Sequence, residues 1–255
     1  SSIFAENHEE CLDTQQLQAT ILMRRGRYLE AKLPLEAVLS SRKEAKGKTH
    51  RSTVSALRSI GDCLVGLGKY EQALPILERS TQLLRRAVGE EHLDVASSSD
   101  SLGHCHTVLA NFPRAKQLFD RAKTIRERVA SETHPCHADC SMSLGTLDYL
   151  HGHYEASQKH FDDALTLRRT SLRSMHPLVA ESLHMMGEVL FMRARYPEAR
   201  ASLERTMKMR RTVLPPEHPA INTTAMWLGR LHEVAGKLEQ ASAIYERCLI
   251  NTRNT

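Results

Sequence analysis

The sequence predicts an all-α fold, a right-handed superhelical solenoid of six helix-turn-helix repeats, and three observations predict it. His8, His50, His92, His134, His176 and His218 recur at a constant step of 42 residues. Four further columns keep the same step, among them the aromatic one Tyr28, Tyr70, Phe112, Tyr154, Tyr196 and Leu238. Within a period, apolar residues recur at spacings of three or four, the mark of a helix face, and nothing reads as a strand. A fixed period of this length means stacked supersecondary units that bury their faces only against one another.

The elements follow in order, as one domain over 1–255. The repeats run 8–49, 50–91, 92–133, 134–175, 176–217 and 218–255. In the first, Ala19 is the small residue of helix A, and Gly26, Tyr28 and Ala31 mark the turn and the head of helix B. In the second, Val54, Leu57, Ile60, Leu64 and Leu67 form one apolar stripe around Gly61; Gly66-Leu67-Gly68-Lys69 breaks it, and Tyr70, Ala73, Leu77, Leu84 and Val88 form the next. The third carries Gly103, then Ala110, Phe112 and Ala115, with Pro113 starting helix B, where proline's missing N–H costs nothing. The last three open on His134-Pro135, His176-Pro177 and His218-Pro219, and carry Gly145, Gly187 and Gly229 in helix A. Their turns hold Gly152, Ala194 and Gly236 before Tyr154, Tyr196 and Leu238, with Ser157, Ala199 and Ala241 after, and Pro197 starts the fifth helix B. Gly or Ala in helix A lets helix B approach closely, and the aromatic at the head of helix B is expected to fill the wedge beside it.

Composition narrows the function. Lys and Arg number 35 against 30 Asp and Glu, a net +5 too mild and too interleaved with acids for a nucleic-acid footprint. No run approaches the roughly 18 apolar residues of a membrane span. The start, Ser1-Ser2-Ile3-Phe4, has neither an initiator Met nor a signal-peptide pattern, as expected for a piece of a longer protein. Six cysteines are too sparse for a disulfide scaffold and fit a reducing, cytoplasmic setting. Cys11, Cys63 and Cys105 fall in apolar columns and read as core. The histidine column lies one repeat apart per residue, too far to share an ion, so these histidines read as helix starts; His137 with Cys140 is the one pair that faces across a turn. Phosphate loops, nucleophile elbows and zinc-protease helices are all absent. Neither a metal, a cofactor nor catalysis is expected.

The run Ile60-Gly61-x-x-Leu64, then Gly68-Lys69-Tyr70-Glu71-x-Ala73, then Leu77, resembles the tetratricopeptide repeat. The 42-residue step and the linker Gly89-Glu90-Glu91-His92-x-x-Val95-Ala96 are similar to the kinesin-light-chain and nephrocystin-3 type. The resemblance implies a non-enzymatic interaction module whose A helices line a concave groove. The Asn pair with which kinesin light chains bind cargo backbone is replaced here, for example by Met142-Ser143, His184-Met185 and Met226-Trp227.

Most aromatic residues are spent in repeat columns; Tyr149, Phe191 and Trp227, all in helix A, are not. With Met142 and Met226 they are expected to form the apolar floor of the groove, where a protein or peptide partner inserts side chains, with Glu181, His184, Glu188 and Arg230 setting its register. The alternative is a convex basic face, Arg126, Arg168, Arg169, Arg210 and Arg211, docking on a ciliary, microtubule or other large assembly. Self-association is a third reading.

Overall fold

The computed structural model describes residues 2–131 and 134–253, with side chains over 9–131 and 134–251. Twelve helices and no strand occur among the described residues, and they group into two compact units, Ser1–Ala130 and Ser131–Thr255. Unit 1 contains α1 (Ser2–Arg24), α2 (Tyr28–Lys46), α3 (Arg51–Gly66), α4 (Tyr70–Val88), α5 (Leu93–Val108) and α6 (Phe112–Val129). Unit 2 contains α7 (Cys136–Leu150), α8 (Tyr154–Ser171), α9 (Pro177–Met192), α10 (Tyr196–Val213), α11 (Pro219–Val234) and α12 (Leu238–Arg253). In each unit consecutive helices pack pairwise, odd-numbered helices being the A helices and even-numbered the B helices.

Histidine starts the A helices by capping them. The Nδ1 of His92, His134, His176 and His218 accepts the backbone N–H two residues on, at 3.0, 3.2, 3.1 and 3.1 Å. Each bond satisfies one of the four amides that a helix leaves unpaired at its start. Pro177 and Pro219 take the first helical turn as expected, whereas Pro135 sits one place earlier, before α7. In the first repeat α1 begins at Ser2 and runs through His8, whose side chain lies outside the described residues.

The turn column has a backbone reason the sequence alone leaves implicit. Gly26, Gly68, Gly152 and Gly236 have φ between 72° and 84°, the left-handed conformation that ends a helix. Ala110 and Ala194 hold φ 58° at the same place. An alanine there carries Cβ strain that glycine lacks. Ala194→Gly is therefore expected to raise stability by about 0.5–1 kcal/mol, read as a higher denaturation midpoint at unchanged slope.

The small column brings the helices of a pair together, but the head aromatic does not fill the wedge as expected. The side chain seven residues further on does, Phe161 rather than Tyr154 in α8, because the closest approach to helix A lies two turns into helix B. A Cβ added at Gly145 would stand 2.6 Å from Phe161 Cε1, and Gly103 and Gly229 meet Phe119 and Tyr245 in the same way. Phe119 and Phe161 are almost fully buried.

A second column ties B helices to neighbouring A helices, and it overturns an expectation. Arg42, Arg126, Arg168 and Arg210 are 1%, 3%, 3% and 6% exposed, so Arg126, Arg168 and Arg210 do not form a convex docking face. Arg168 of α8 bonds the Leu178 carbonyl, Glu181 and Ser182 of α9, each at 2.9 Å, and Asp139 of α7 at 3.2 Å. Arg210 of α10 donates to the Ala220 carbonyl (2.7 Å) and Thr224 (2.6 Å) of α11, and Arg126 pairs with Asp100. A guanidinium carries five donors in a plane, enough to tie a B helix to the A helices beside it while its charge is answered. Arg169 and Arg211 remain exposed. Leu84 takes the same place in α4 and is 1% exposed in an apolar cluster.

Cys63 and Cys105 are core residues as expected, each thiol reaching the carbonyl at the head of the preceding B helix, Tyr28 and Tyr70. Cys11 is exposed, contrary to expectation. Its counterparts Val95 and Val179 are buried, but no B helix precedes α1 among the described residues to cover that side.

Candidate functional site

The residues proposed from the sequence lie on the three A helices of unit 2, α7, α9 and α11. Phe191 and Trp227, 36 places apart, meet edge to face at 5.3 Å. The Arg230 guanidinium lies 4.4 Å from the centroid of Trp227 and 5.3 Å from that of Phe191. Such stacking holds a cation in place without neutralising it. Arg230 is exposed, and it makes neither a hydrogen bond nor an ion pair with any described residue. Met226 beside Trp227 is 51% exposed. Tyr149 packs edge to face on Tyr154 at 5.8 Å, as Phe191 does on Tyr196 at 5.4 Å, so both rings are half-buried and anchored by the head of their own B helix.

Beneath this surface runs a polar layer. His184 and Glu188 are 4% and 8% exposed, and His184 Nε2 stands 2.9 Å from Glu188 Oε1, off the line of a straight N–H bond. Tyr149 reaches the same carboxylate, and burial, with the Glu188 charge next in size, pushes its phenol well above the ordinary range. Burial also draws Arg210 down to about 10, partly offset by Glu181 and Glu188, so it stays charged at neutral pH. Glu181 is half-exposed but already held by Arg168. Met142 is 9% exposed and packs in the core with Phe161 and Met186. Met142, His184 and Glu188 are therefore not surface contacts as expected. They lie under the floor because the A-helix stripe they share turns inward between neighbouring repeats.

Burial also lowers the His184 pKa below its ordinary 6.5, the Glu188 carboxylate beside it only partly opposing the shift. A histidine whose folded value is depressed stabilises the fold above its unfolded pKa, and that contribution is lost as pH falls from about 6.5 toward the folded value. His184→Gln is expected to flatten the fall in melting temperature between pH 6.5 and 5 relative to the parent chain.

One row was missed from sequence. Leu150, Met192 and Val234 occupy the same place in the last turn of α7, α9 and α11, and are 49%, 39% and 50% exposed. Their signal was there: three apolar residues at the 42-residue step, next to Tyr149 and Phe191, in a column that no neighbouring helix covers.

His137 and Cys140 do not converge on a site. His137 Nε2 meets the Ser131 carbonyl at 3.0 Å, Cys140 is buried, and no cluster of three or more metal-ligating side chains occurs among the described residues. No described helix is long and apolar enough to cross a membrane.

The tetratricopeptide repeat family model matches at 10–86, 66–127, 94–170, 152–212 and 178–254, nearly the whole chain. The chain belongs to the tetratricopeptide repeat (TPR) family. No curated protein matches it. Solved structures share the TPR fold. One is of nearly identical TPR-like repeats from a Podosopora anserina protein assigned as a kinesin light chain: TM-score 0.58, 19% identity, covering 80% of this chain and 96% of that one. BtubC (BKLC) from P. vanneervenii gives 0.63 and 15%, covering 95% and 91%. The Rap conjugation gene regulator of plasmid pLS20, solved with the Phr* peptide, gives 0.66 and 14%, covering 95% and 75%. At these identities the likeness is one of fold.

Proposed function

We propose that this TPR protein is a non-enzymatic interaction module whose unit 2 takes a segment of a partner protein on the faces of α7, α9 and α11. A cytoplasmic setting belongs to the same reading. The Phe191–Trp227–Arg230 stack carries it. Phe191 and Trp227 are half-buried, the Arg230 stacked on them is exposed, and exposed Met226, Met192 and Val234 lie on the same two helices, with exposed Leu150 on α7. Apolar side chains at the surface of neighbouring A helices, beside a cation that makes no ion pair with a described residue, are the composition of an interface core. That the Rap regulator was solved with a peptide supports a peptide-like ligand. The basic-face alternative keeps only Arg169 and Arg211 of its five residues at the surface.

A photo-crosslinking amino acid placed at Met226, and separately at exposed Lys208 on α10, tests the proposal. The Met226 probe should trap a partner segment and the Lys208 probe should not. Trapping at Lys208 alone would refute it. The probe replaces an exposed side chain because Tyr149→Ala and Phe191→Ala would also remove half-buried packing and confound binding with folding.

A further inference from the structure

On the B-helix side, arginines come in pairs on successive B helices. In unit 1, Arg85 of α4 and Arg121 of α6 share one carboxylate: Glu90 pairs with Arg121, and its Oε2 lies 3.7 Å from Arg85 Nε. Two guanidiniums held on neighbouring helices repel, and an acid between them removes that cost. Burial, and after it the Arg85 charge, lower the pKa of Arg121.

Three repeats later the same positions are Arg211 of α10, Arg247 of α12 and, in place of the glutamate, Pro216. All three line one cavity of about 650 Å³, floored by Met207, Ile221, Leu228 and Ile244. Neither arginine makes an ion pair or hydrogen bond with a described residue, and both are exposed. Of the two repeats between, one carries the same pair, Arg169 and Arg205 with Ser174, and the other carries acids, Glu127 and Asp163, at the paired positions. Arg205 is the charge that, after burial, lowers the pKa of Arg169. Unit 1 thus carries its own anion between Arg85 and Arg121, whereas Arg211 and Arg247 have none between them among the described residues.

We propose that the cleft between α10 and α12 binds a partner protein segment through an acidic side chain, whose carboxylate bridges Arg211 and Arg247 where Glu90 bridges their counterparts. An apolar neighbour of that acid lies on the Ile221–Ile244 floor. The carboxylate is the favoured anion because the chain's own version of the site uses one, and planar guanidiniums match it two bonds at a time. The volume lies within the usual range of ligand sites, roughly 300–1,000 Å³. This site shares no residue with the A-helix face and does not depend on it.

The test uses the full 255-residue chain with 13C-labelled isoleucine methyls, and as probe the peptide acetyl-Gly-Ser-Leu-Glu-Leu-Gly-Ser-amide. Saturable shifts of the Ile221 and Ile244 methyls are expected. The Gln form of the peptide, and Arg211→Gln with Arg247→Gln, should each weaken binding roughly tenfold or more. Both arginines are exposed and unpaired, so the double variant should keep its helicity. Pro216→Glu should close the site with the chain's own carboxylate and abolish the peptide's effect. No saturable change would overturn the proposal. So would equal response to the Gln peptide, which would mark a merely apolar cleft. Shifts as large with inorganic phosphate alone would mark a plain anion site and overturn it too.

Discussion

Arg168→Leu is expected to lower stability by about 2–4 kcal/mol, because it strips buried acceptors of their donor and leaves two acids without their cation. The Leu178 carbonyl and Ser182 hydroxyl lose bonds of 2.9 Å, and Asp139 and Glu181 lose their shared guanidinium. The chain contains its own control. Where Leu84 stands in this column, the positions of Asp139 and Glu181 are Ser55 and Ser97, with no acid to answer. Adding Asp139→Ser and Glu181→Ser to Arg168→Leu should therefore recover most of the loss. Residues that share one network couple non-additively, by about 0.5–3 kcal/mol, so a thermodynamic cycle on purified variants reads the bracket directly. Strictly additive losses would show that the three side chains act separately.

Phe161→Ala is expected to cost about 3–5 kcal/mol, the range for emptying a fully buried aromatic site. Phe161 has no exposed surface and fills the wedge that Gly145 opens. The reverse error is also costly: Gly145→Ala pushes a methyl into the ring and should cost about 1–3 kcal/mol. The first repeat shows the remedy, since it pairs Ala19 with Leu35 at these positions and both are fully buried. Phe161→Leu combined with Gly145→Ala should be more stable than Gly145→Ala alone. Denaturant midpoints at constant slope measure all three.

Much of the fold was legible because the 42-residue step prints the same packing problem six times. The glycine of helix A and the helix-starting histidine each solve one local problem, so each recurs in register; the wedge-filling side chain was misplaced by two turns, since Phe161 and not Tyr154 meets Gly145. The arginine column was equally legible in position but not in direction. Arg126, Arg168 and Arg210 read as surface charges because long cations normally are, and only the facing carbonyls and acids of the neighbouring A helices reveal that they point inward. His184 and Glu188 misled for the same reason: a helix stripe gives angle, not depth. Cys11 failed because column membership implies burial only where a neighbour covers the column. Phe191, Trp227 and Arg230 were found as individual residues, but their mutual stacking depends on how α9 and α11 pack, which no spacing in one chain specifies.

Trp227 is the only tryptophan, so its emission reports on the A-helix face without a label. With the partner trapped at Met226 added to the full chain, the emission should shift and saturate. Arg230→Glu should weaken that titration by about tenfold or more while leaving the melting temperature unchanged. Saturable binding of that partner with Trp227 emission unmoved, and with Arg230→Glu as tight as the parent, would contradict the assignment of this face.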